Sequence, residues 1–502
     1  MLKPELEKTL PQAVEQVQRL HSVNDVANLL EVPSGQLLHI LYKQPLEKHC
    51  KTFLIPKKRG GYRTIKAPKG SRKILLEKLK PIFSELYRTK ACVHGFVPER
   101  SIVTNAKKHK KKRYVLNIDL VDFFPTIHFG RIRGLFMASP FNMGNKAASV
   151  MAHICTIEGQ LFQGSPVSPV LSNFIAADLD NKLTNLAKRY KVTYTRYADD
   201  ITFSSSQNNF PRSIATFEGD NPVTNDVTLG NTLIETIESS GFKINYNKVR
   251  LQIKSVRQEV TGLTVNEFPN VKRTYIRNIR AMLNAWEKHG LIGAENFLID
   301  KYAKSPPNID PGDRDGTFFK NVIYGKIAFI KMVRGEKDDI YMKLCLKAAS
   351  LDPDPPSFIQ GIKKMHEKFD VFISHASEDK ETAVRPIYNS LKSIGVSAFL
   401  DEVDMEWGDS LTEKINNALG QAKFVLAVLS DNSVGKKWPQ KEINAALARE
   451  LSGKQKILPL IVGKPDLSPL SLLEDKIYLE WEENPDEIAK KIKGMLGKIY
   501  SS

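Results

Sequence analysis

At 502 residues the chain is too long for one hydrophobic core and implies two or three domains. Apolar residues at 41% and charged residues at 26% describe a globular chain and exclude a disordered one, while the longest apolar runs, Phe424 to Leu429 and Ile457 to Val462, are too short to span a bilayer. The net charge of +18 is unevenly divided: residues 369–502 hold 17 Lys and Arg against 21 Asp and Glu, which leaves 57 against 35 of the totals of 74 and 56 for residues 1–368. So basic a module predicts a polyanionic partner, because each phosphate contact releases condensed counterions; charge alone leaves a polymerase and a passive RNA binder equally open. Cys50, Cys92, Cys155 and Cys345 lie far apart with neither metal nor disulfide spacing, and the opening MLKPELEKTLPQ has no apolar signal-peptide core, so the expectation is a reducing cytoplasm without membrane attachment.

In chain order, residues 1–45 place Val14, Val17, Leu20, Val26, Leu29 and Leu30 at helical spacing. From Thr52 the pattern shortens and turn signals such as Gly60-Gly61 appear, with strands predicted at Tyr114–Ile118, Thr193–Tyr197 and Ile201–Ser204. The polar stretch Ser205–Asn231 reads as a surface insertion, and residues 270–348 return to basic, helical patterning. Asp352-Pro-Asp-Pro-Pro-Ser357 tolerates neither helix nor strand well and is the best linker candidate. Beyond it, strands predicted at Phe369–Ser374, Ser397–Leu400, Lys423–Leu429 and Lys456–Val462 alternate with helical stretches, which predicts a parallel α/β sheet.

The strongest chemical signal is Tyr197-Ala-Asp199-Asp200 between two strand-like runs. Adjacent carboxylates at a hairpin tip are costly unless cations neutralise them. Such a pair is often an ordinary turn, but Leu116-Asn-Ile-Asp119-Leu-Val-Asp122-Phe-Phe places another Asp at a strand end upstream. Strand-end and hairpin carboxylates together can cage two magnesium ions, which activate a 3′-hydroxyl and stabilise leaving pyrophosphate.

These blocks resemble a reverse transcriptase palm over residues 50–265. Arg63-Thr-Ile-Lys-Ala-Pro68 is similar to the fingers block; the strand ending at Asp119, Gln163-Gly-Ser-Pro-Val-Ser-Pro-Val-Leu-Ser-Asn173, Tyr197-Ala-Asp-Asp200 and Gly241-Phe-Lys-Ile-Asn-Tyr-Asn-Lys248 follow in the family's order. The resemblance implies RNA-directed DNA polymerase activity with Asp119, Asp199 and Asp200 as catalytic metal ligands for two Mg2+. It implies Phe124 as a gate against the ribose 2′-hydroxyl, Gln163 and Gly164 in the nucleotide pocket, Arg63 on the triphosphate and Lys248 near the pyrophosphate. Bland alternatives are a core aromatic for Phe124 and surface bases for Arg63 and Lys248. A vestigial RNA-binding palm is disfavoured because all three Asp are intact.

Asn105-Ala-Lys-Lys-His109 and Val260-Thr-Gly262 resemble retron reverse transcriptases in particular. That resemblance implies a cognate noncoding RNA, priming from an internal guanosine 2′-hydroxyl, and a multicopy single-stranded DNA (msDNA) product that stays with the protein. Asn105, His109, Lys110, Lys111, Lys272, Arg273, Tyr275 and Arg277 are the candidate RNA contacts, the last four within the run Val271–Arg280.

Phe369-Asp-Val-Phe-Ile-Ser-His375-Ala-Ser-Glu-Asp379 is an apolar strand breaking into an acidic turn, where ligands of parallel sheets bind. With Gly395–Asp401, Trp407-Gly-Asp-Ser-Leu411 and Ser433-Val-Gly-Lys-Lys-Trp438-Pro-Gln-Lys-Glu442, it resembles a TIR domain over residues 369–498. TIR domains either cleave NAD+ or bind one another. The enzymatic class implies Glu442 as the catalytic carboxylate, with Ser374, His375, Trp407 and Trp438 in the NAD+ pocket and NAD+ as substrate, not cofactor. The alternative is an oligomerisation or recruitment module in which Glu442 is a solvated helix residue.

The expected architecture is multidomain α+β and α/β: a right-hand polymerase followed by a flavodoxin-like parallel-sheet TIR domain. Its segments are a helical extension (1–45), fingers and palm (46–268), thumb (269–350), linker (351–368) and TIR domain (369–502). The expected function is a retron reverse transcriptase whose TIR hydrolyses NAD+ on phage infection, with its RNA, msDNA, dNTPs and NAD+ as partners and self-association through TIR or nucleic acid.

Overall fold

The computed structural model describes all residues except 1–2, 57–60, 218–226, 302–309, 366–368, 401–418, 435–441, 443–445, 447–455, 469–477 and 501–502. The chain divides into two compact units, residues 1–278 with 329–335 and residues 279–328 with 336–502. This division falls inside the stretch expected as thumb, not at the Pro-rich segment.

In the first unit the N-terminal region forms helices Leu10–Val17, Val23–Leu30 and Ser34–Tyr42. The second begins with a reciprocal cap: Ser22 Oγ accepts from Asp25 N, and the Asp25 carboxylate accepts from Ser22 N. The predicted periodicity is visible in the burial of Val17, Leu20, Val26, Leu29 and Leu30. Strands β1 (Cys50–Pro56) and β2 (Tyr62–Pro68) pair antiparallel as a separate hairpin.

The palm sheet contains β3 (Tyr114–Asp119), β4 (Thr193–Tyr197), β5 (Asp200–Ser205) and, after the short hairpin of β6 (Ala215–Phe217) and β7 (Val227–Leu229), β8 (Arg250–Ile253). Its order is β4-β5-β3-β8, all neighbours antiparallel, and the register sets Asp119 opposite Asp200. The stretch expected as a surface insertion differs from that reading. It contains the β6–β7 hairpin, and Phe210, Ile214, Ala215 and Leu229 are buried in the palm core, so apolar residues too sparse to show a period still anchor it. Strands β9 (Glu259–Val260) and β10 (Leu263–Thr264) enclose the turn Thr261-Gly262, whose φ values of +46° and +83° close a two-residue hairpin.

The basic helical stretch of the sequence forms helices Arg273–Lys301, broken at Gly290 with φ +70°, Thr317–Arg334 and Asp339–Leu351. Buried Glu295 caps the second of these by accepting from Gly316 N at 2.8 Å and Phe319 N at 3.1 Å. The Pro-rich segment is not a bare tether. Asp352 is buried and accepts from Lys320 Nζ at 2.9 Å and from the Tyr324 hydroxyl, and Ser357–Met365 is a helix burying Ile359 and Ile362.

Five parallel strands complete the second unit: β11 (Val371–Ser374), β12 (Ala398–Phe399), β13 (Phe424–Leu429), β14 (Lys456–Ile461) and β15 (Leu479–Glu480), in the order β12-β11-β13-β14-β15. The first strand lies inside and the second at the edge, the flavodoxin-like arrangement expected from the sequence. Strand β13 shows why the run is wholly apolar. Phe424, Leu426 and Val428 enter one core, Val425, Ala427 and Leu429 the other, so both faces are covered.

Among the described residues, both of these cores are built only from residues 369 onward. A fragment of residues 366–502 is therefore expected to fold alone with one cooperative thermal transition. Recovery of an unfolded, insoluble fragment under conditions that keep the full chain folded would show that the sheet depends on the rest of the protein.

Candidate active sites

The antiparallel register of β3 and β5 ends with Asp119 beside Asp200, and Asp199 precedes Asp200 in the turn from β4. All three line a cleft of about 760 Å3, together with Arg63 and Ile65 of β2, Tyr197, Lys248, Arg250, Thr261 and Gly262. Burial raises the pKa of Asp199, and the Asp119 charge raises it further. Asp200 is pushed up to about 7 by burial, then by Asp199 and Asp119.

Lys248 offsets part of this negative charge. Its Nζ donates to both oxygens of Asp119 at 2.8 and 2.9 Å, and Asn245 Nδ2 adds a donor to Oδ1 at 3.1 Å. Among the described residues no three carboxylate, imidazole or thiolate groups form a preassembled metal-ligand set. The donor chemistry nevertheless suits hard divalent cations: three carboxylates face one cleft, and burial followed by mutual repulsion raises the pKa of two of them.

Gly164 sits at φ +110° against the fingers hairpin, where a Cβ would lie 2.6 Å from the Lys66 carbonyl oxygen, and its neighbour Gln163 accepts from Lys66 N at 2.9 Å. The Gln163 side-chain oxygen is buried without a partner. Phe124 is half-buried, with Phe123 and Phe96 ring centroids at 5.4 and 6.1 Å.

The expected RNA contacts separate into two groups. Lys110, Lys111, Arg273 and Arg277 are exposed, Lys272 pairs with Glu259 at 3.0 Å, and the half-buried Tyr275 ring packs on Phe329. Asn105 and His109 are a correction: both are fully buried and cannot touch an RNA. His109 Nδ1 lies 2.7 Å from Ser204 Oγ and Nε2 2.7 Å from Thr195 Oγ1, whose hydroxyl donates to Asn105 Oδ1 at 2.5 Å. Because Thr195 gives its proton to Asn105, His109 Nε2 is the donor to Thr195 and Nδ1 accepts from Ser204. The motif therefore pins the helix Ile102–Lys108 to the hairpin β4–β5.

Sequence reasoning missed the other side of that hairpin. Arg196 forms a bidentate ion pair with Asp180, and neither side chain has any exposure. Burial opposes the guanidinium's charge, and Asp180 more than offsets this, raising its pKa. Only the position of Arg196 directly before Tyr197 could have drawn attention to it.

In the second unit Ser374, the last residue of β11, donates from Oγ to Glu442 Oε2 at 2.8 Å, and both residues are buried. The site thus lies at the carboxyl end of a central parallel strand. His375 is half-buried, with Nδ1 3.3 Å from the Ile373 carbonyl oxygen. Asp379 accepts from Asn432 Nδ2 at 3.0 Å and from Ser430 Oγ, joining the turns after β11 and β13. Trp407 and Trp438 lie outside the described residues.

Residues 55–265 match the reverse transcriptase (RNA-dependent DNA polymerase) family model, and residues 371–494 the TIR domain model. The retron Mx65 reverse transcriptase of Myxococcus xanthus is 37% identical over 296 residues, covering 55% of this chain and 65% of its own. The retron Ec73 reverse transcriptase of Escherichia coli is 32% identical over 279 residues, 52% of this chain and 83% of its own. The 2′ cyclic ADP-D-ribose synthase AbTIR of Acinetobacter baumannii is 37% identical over 144 residues, 28% of this chain and 54% of its own. The chain thus spans under two thirds of the length of the Mx65 enzyme and about half that of AbTIR.

The His109 assignment yields a sign-defined prediction. Burial pushes this imidazole down to about 3 from an ordinary 6.5. Between these values the unfolded chain binds a proton that the folded chain refuses, so stability falls as pH drops through the window, by about 1.4 kcal/mol per unit. In urea titrations His109→Gln should be less stable at pH 7 and should lose less stability than wild type on acidification. RNA affinity should be unchanged; a selective loss of RNA binding with wild-type stability would restore His109 as an RNA contact.

Proposed function

Because the chain belongs to the retron reverse transcriptase family and carries a TIR domain behind its polymerase region, we propose that it copies a bound noncoding RNA into msDNA and cleaves NAD+ through its TIR domain. The observation that carries the polymerase reading is the strand register that puts Asp119 opposite Asp200, with Asp199, Lys248 and Arg63 on the same cleft.

Asp119, Asp199 and Asp200 would hold two Mg2+, which supply Lewis-acid activation of the attacking hydroxyl and charge stabilisation on pyrophosphate. The remaining work falls to side chains of the chain itself. Lys248 releases Asp119 and turns its ammonium toward the leaving phosphates. Arg63 orients the triphosphate, and Gly164 lets nucleotide and β2 backbone approach without a Cβ between them. Phe124 closes the space a ribose 2′-hydroxyl needs. Lys110, Lys111, Lys272, Arg273, Tyr275 and Arg277 track RNA outside the cleft.

In the TIR domain Ser374 holds the Glu442 carboxylate toward the ribose. As the bond from ribose C1′ to the nicotinamide nitrogen breaks, its electron pair leaves with nicotinamide and positive charge develops on the ribose, until a water oxygen bonds to C1′ and gives up a proton to solvent. The carboxylate stabilises that charge. His375 is the described candidate for the rest of the NAD+ pocket, and NAD+ loss on phage infection arrests the host. In this reading fingers and palm run over 46–268, the thumb over 269–350, and the TIR domain begins at 369.

Asp199→Ala with Asp200→Ala should abolish msDNA synthesis and spare NAD+ cleavage, while Glu442→Ala should do the reverse. Measurable msDNA from the first variant, or NAD+ consumption by the second at the wild-type rate, refutes the corresponding assignment. Phe124→Ala should lower discrimination between dNTP and rNTP by about 10- to 100-fold, a loss of about 1–3 kcal/mol. Unchanged discrimination in primer-extension assays would make Phe124 a core residue only.

A further inference from the structure

We propose that Asp180, Asn173 and Arg196 form a buried clamp that fixes the Tyr197–Asp200 turn, making them positioning residues for the polymerisation on which this inference rests. Arg196 projects from the face of β4 opposite Thr195. Its Nε and Nη2 donate to the two oxygens of Asp180 at 2.8 Å each, and the Tyr194 hydroxyl donates to Asp180 Oδ1 at 2.8 Å. The same guanidinium reaches beyond its ion pair. Nη2 donates to Asn173 Oδ1 at 3.1 Å, and Nη1 to the carbonyl oxygen of Ala198, inside the turn, at 3.1 Å.

Ala198 has φ +55°, a conformation that costs an L-residue energy unless its surroundings enforce it. Two contacts enforce it. One is the Arg196 donor on its carbonyl. The other is Gly95, so close that a Cβ there would lie 2.6 Å from Ala198 N. Asn173 ties these together, because its Nδ2 donates to the Gly95 carbonyl oxygen at 3.0 Å. The turn carrying Asp199 is therefore held by a closed set of contacts from the helices Ser168–Ile175 and Ala177–Arg189 and from the Gly95 segment.

Stability alone is a poor reason for this arrangement. A buried ion pair can often be replaced by apolar side chains of similar volume without loss, but such replacements cannot reproduce the fork of donors that fixes where Ala198 sits. Displacing a reacting group by ~1 Å costs ~100-fold in rate. The clamp should accordingly act on turnover and not on nucleotide binding.

The test is steady-state dTTP incorporation by the full chain on poly(rA) primed with oligo(dT), with thermal melting as the folding control. Arg196→Lys keeps a cation beside Asp180 but loses the fork; Asp180→Leu with Arg196→Met removes the ion pair altogether. Both should lower kcat by about 10- to 100-fold with KM for dTTP within about threefold. Wild-type kcat in either folded variant overturns the clamp, as does a raised KM with unchanged kcat. If either charge variant fails to fold, Gly95→Ala decides, since it alters no charge and pushes on Ala198 directly. Lost turnover with an unchanged melting temperature supports the proposal, and wild-type turnover overturns it. A wild-type protein that makes DNA neither on this template nor on the noncoding RNA it is expressed with instead removes the polymerase reading and the clamp with it, a result distinct from active wild type with active variants.

Discussion

Three carboxylates at one end of the palm sheet are the constraint around which the first unit is arranged. Burial and then mutual repulsion push Asp200 up to about 7, so this carboxylate is readily protonated unless a cation sits beside it. Backbone geometry forces the groups together anyway, because the antiparallel register of β3 and β5 leaves Asp119 and Asp200 no choice of neighbour. An internal cation, Lys248, bonds Asp119 directly and acts on Asp199 and Asp200 only through space, so these two keep oxygens for whatever positive charge enters the cleft. Such a cluster is poorly suited to stability and well suited to holding hard cations.

The carboxylates were legible in the sequence because each marks a change of local pattern. Asp119 ends an apolar strand, and Asp199-Asp200 interrupts two strand-like runs. Family order then supplied the pairing that periodicity cannot. The parallel sheet was legible for a related reason: the run Phe424–Leu429 has no polar position, and only a strand covered on both faces has that composition. What failed was inference about side-chain environment. Asn105 and His109 stand next to a lysine cluster and read as surface, yet Asn105 in the helix Ile102–Lys108 and His109 at its end are buried while Lys107 and Lys108 are exposed. A seven-residue helix is too short to show that division. The Asp180–Arg196 pair was invisible for the opposite reason, since the partners sit sixteen residues apart on a helix and a strand and only tertiary structure joins them.

The TIR site repeats one physical theme with different means. Glu442 is buried, as Asp119 is, while Asp199 and Asp200 are half-buried; a described partner of Glu442 is a hydroxyl, Ser374 Oγ, from a residue 68 positions earlier. A hydroxyl donor orients a carboxylate without adding charge of its own, which suits the role proposed for Glu442 of meeting positive charge that develops on a ribose. Lys248 by contrast is a charged donor to both oxygens of Asp119, and the proposed function has it leave them to a metal.

The two faces of the catalytic hairpin show how far such choices reach. On the Thr195 side a nitrogen base is buried neutral, its imidazole held at about 3 and its two ring nitrogens assigned by a chain of hydroxyls ending at Asn105. On the Arg196 side a nitrogen base is buried charged and matched by Asp180. A neutral imidazole avoids the desolvation of an ion but is vulnerable to acid, since protonation would leave Ser204 facing a donor where it now meets an acceptor. The guanidinium is immune to pH in that range, yet needs its carboxylate in full. Strand alternation sends neighbouring residues to these two environments, so one strand carries both solutions, and the turn bearing Asp199 begins where the two meet.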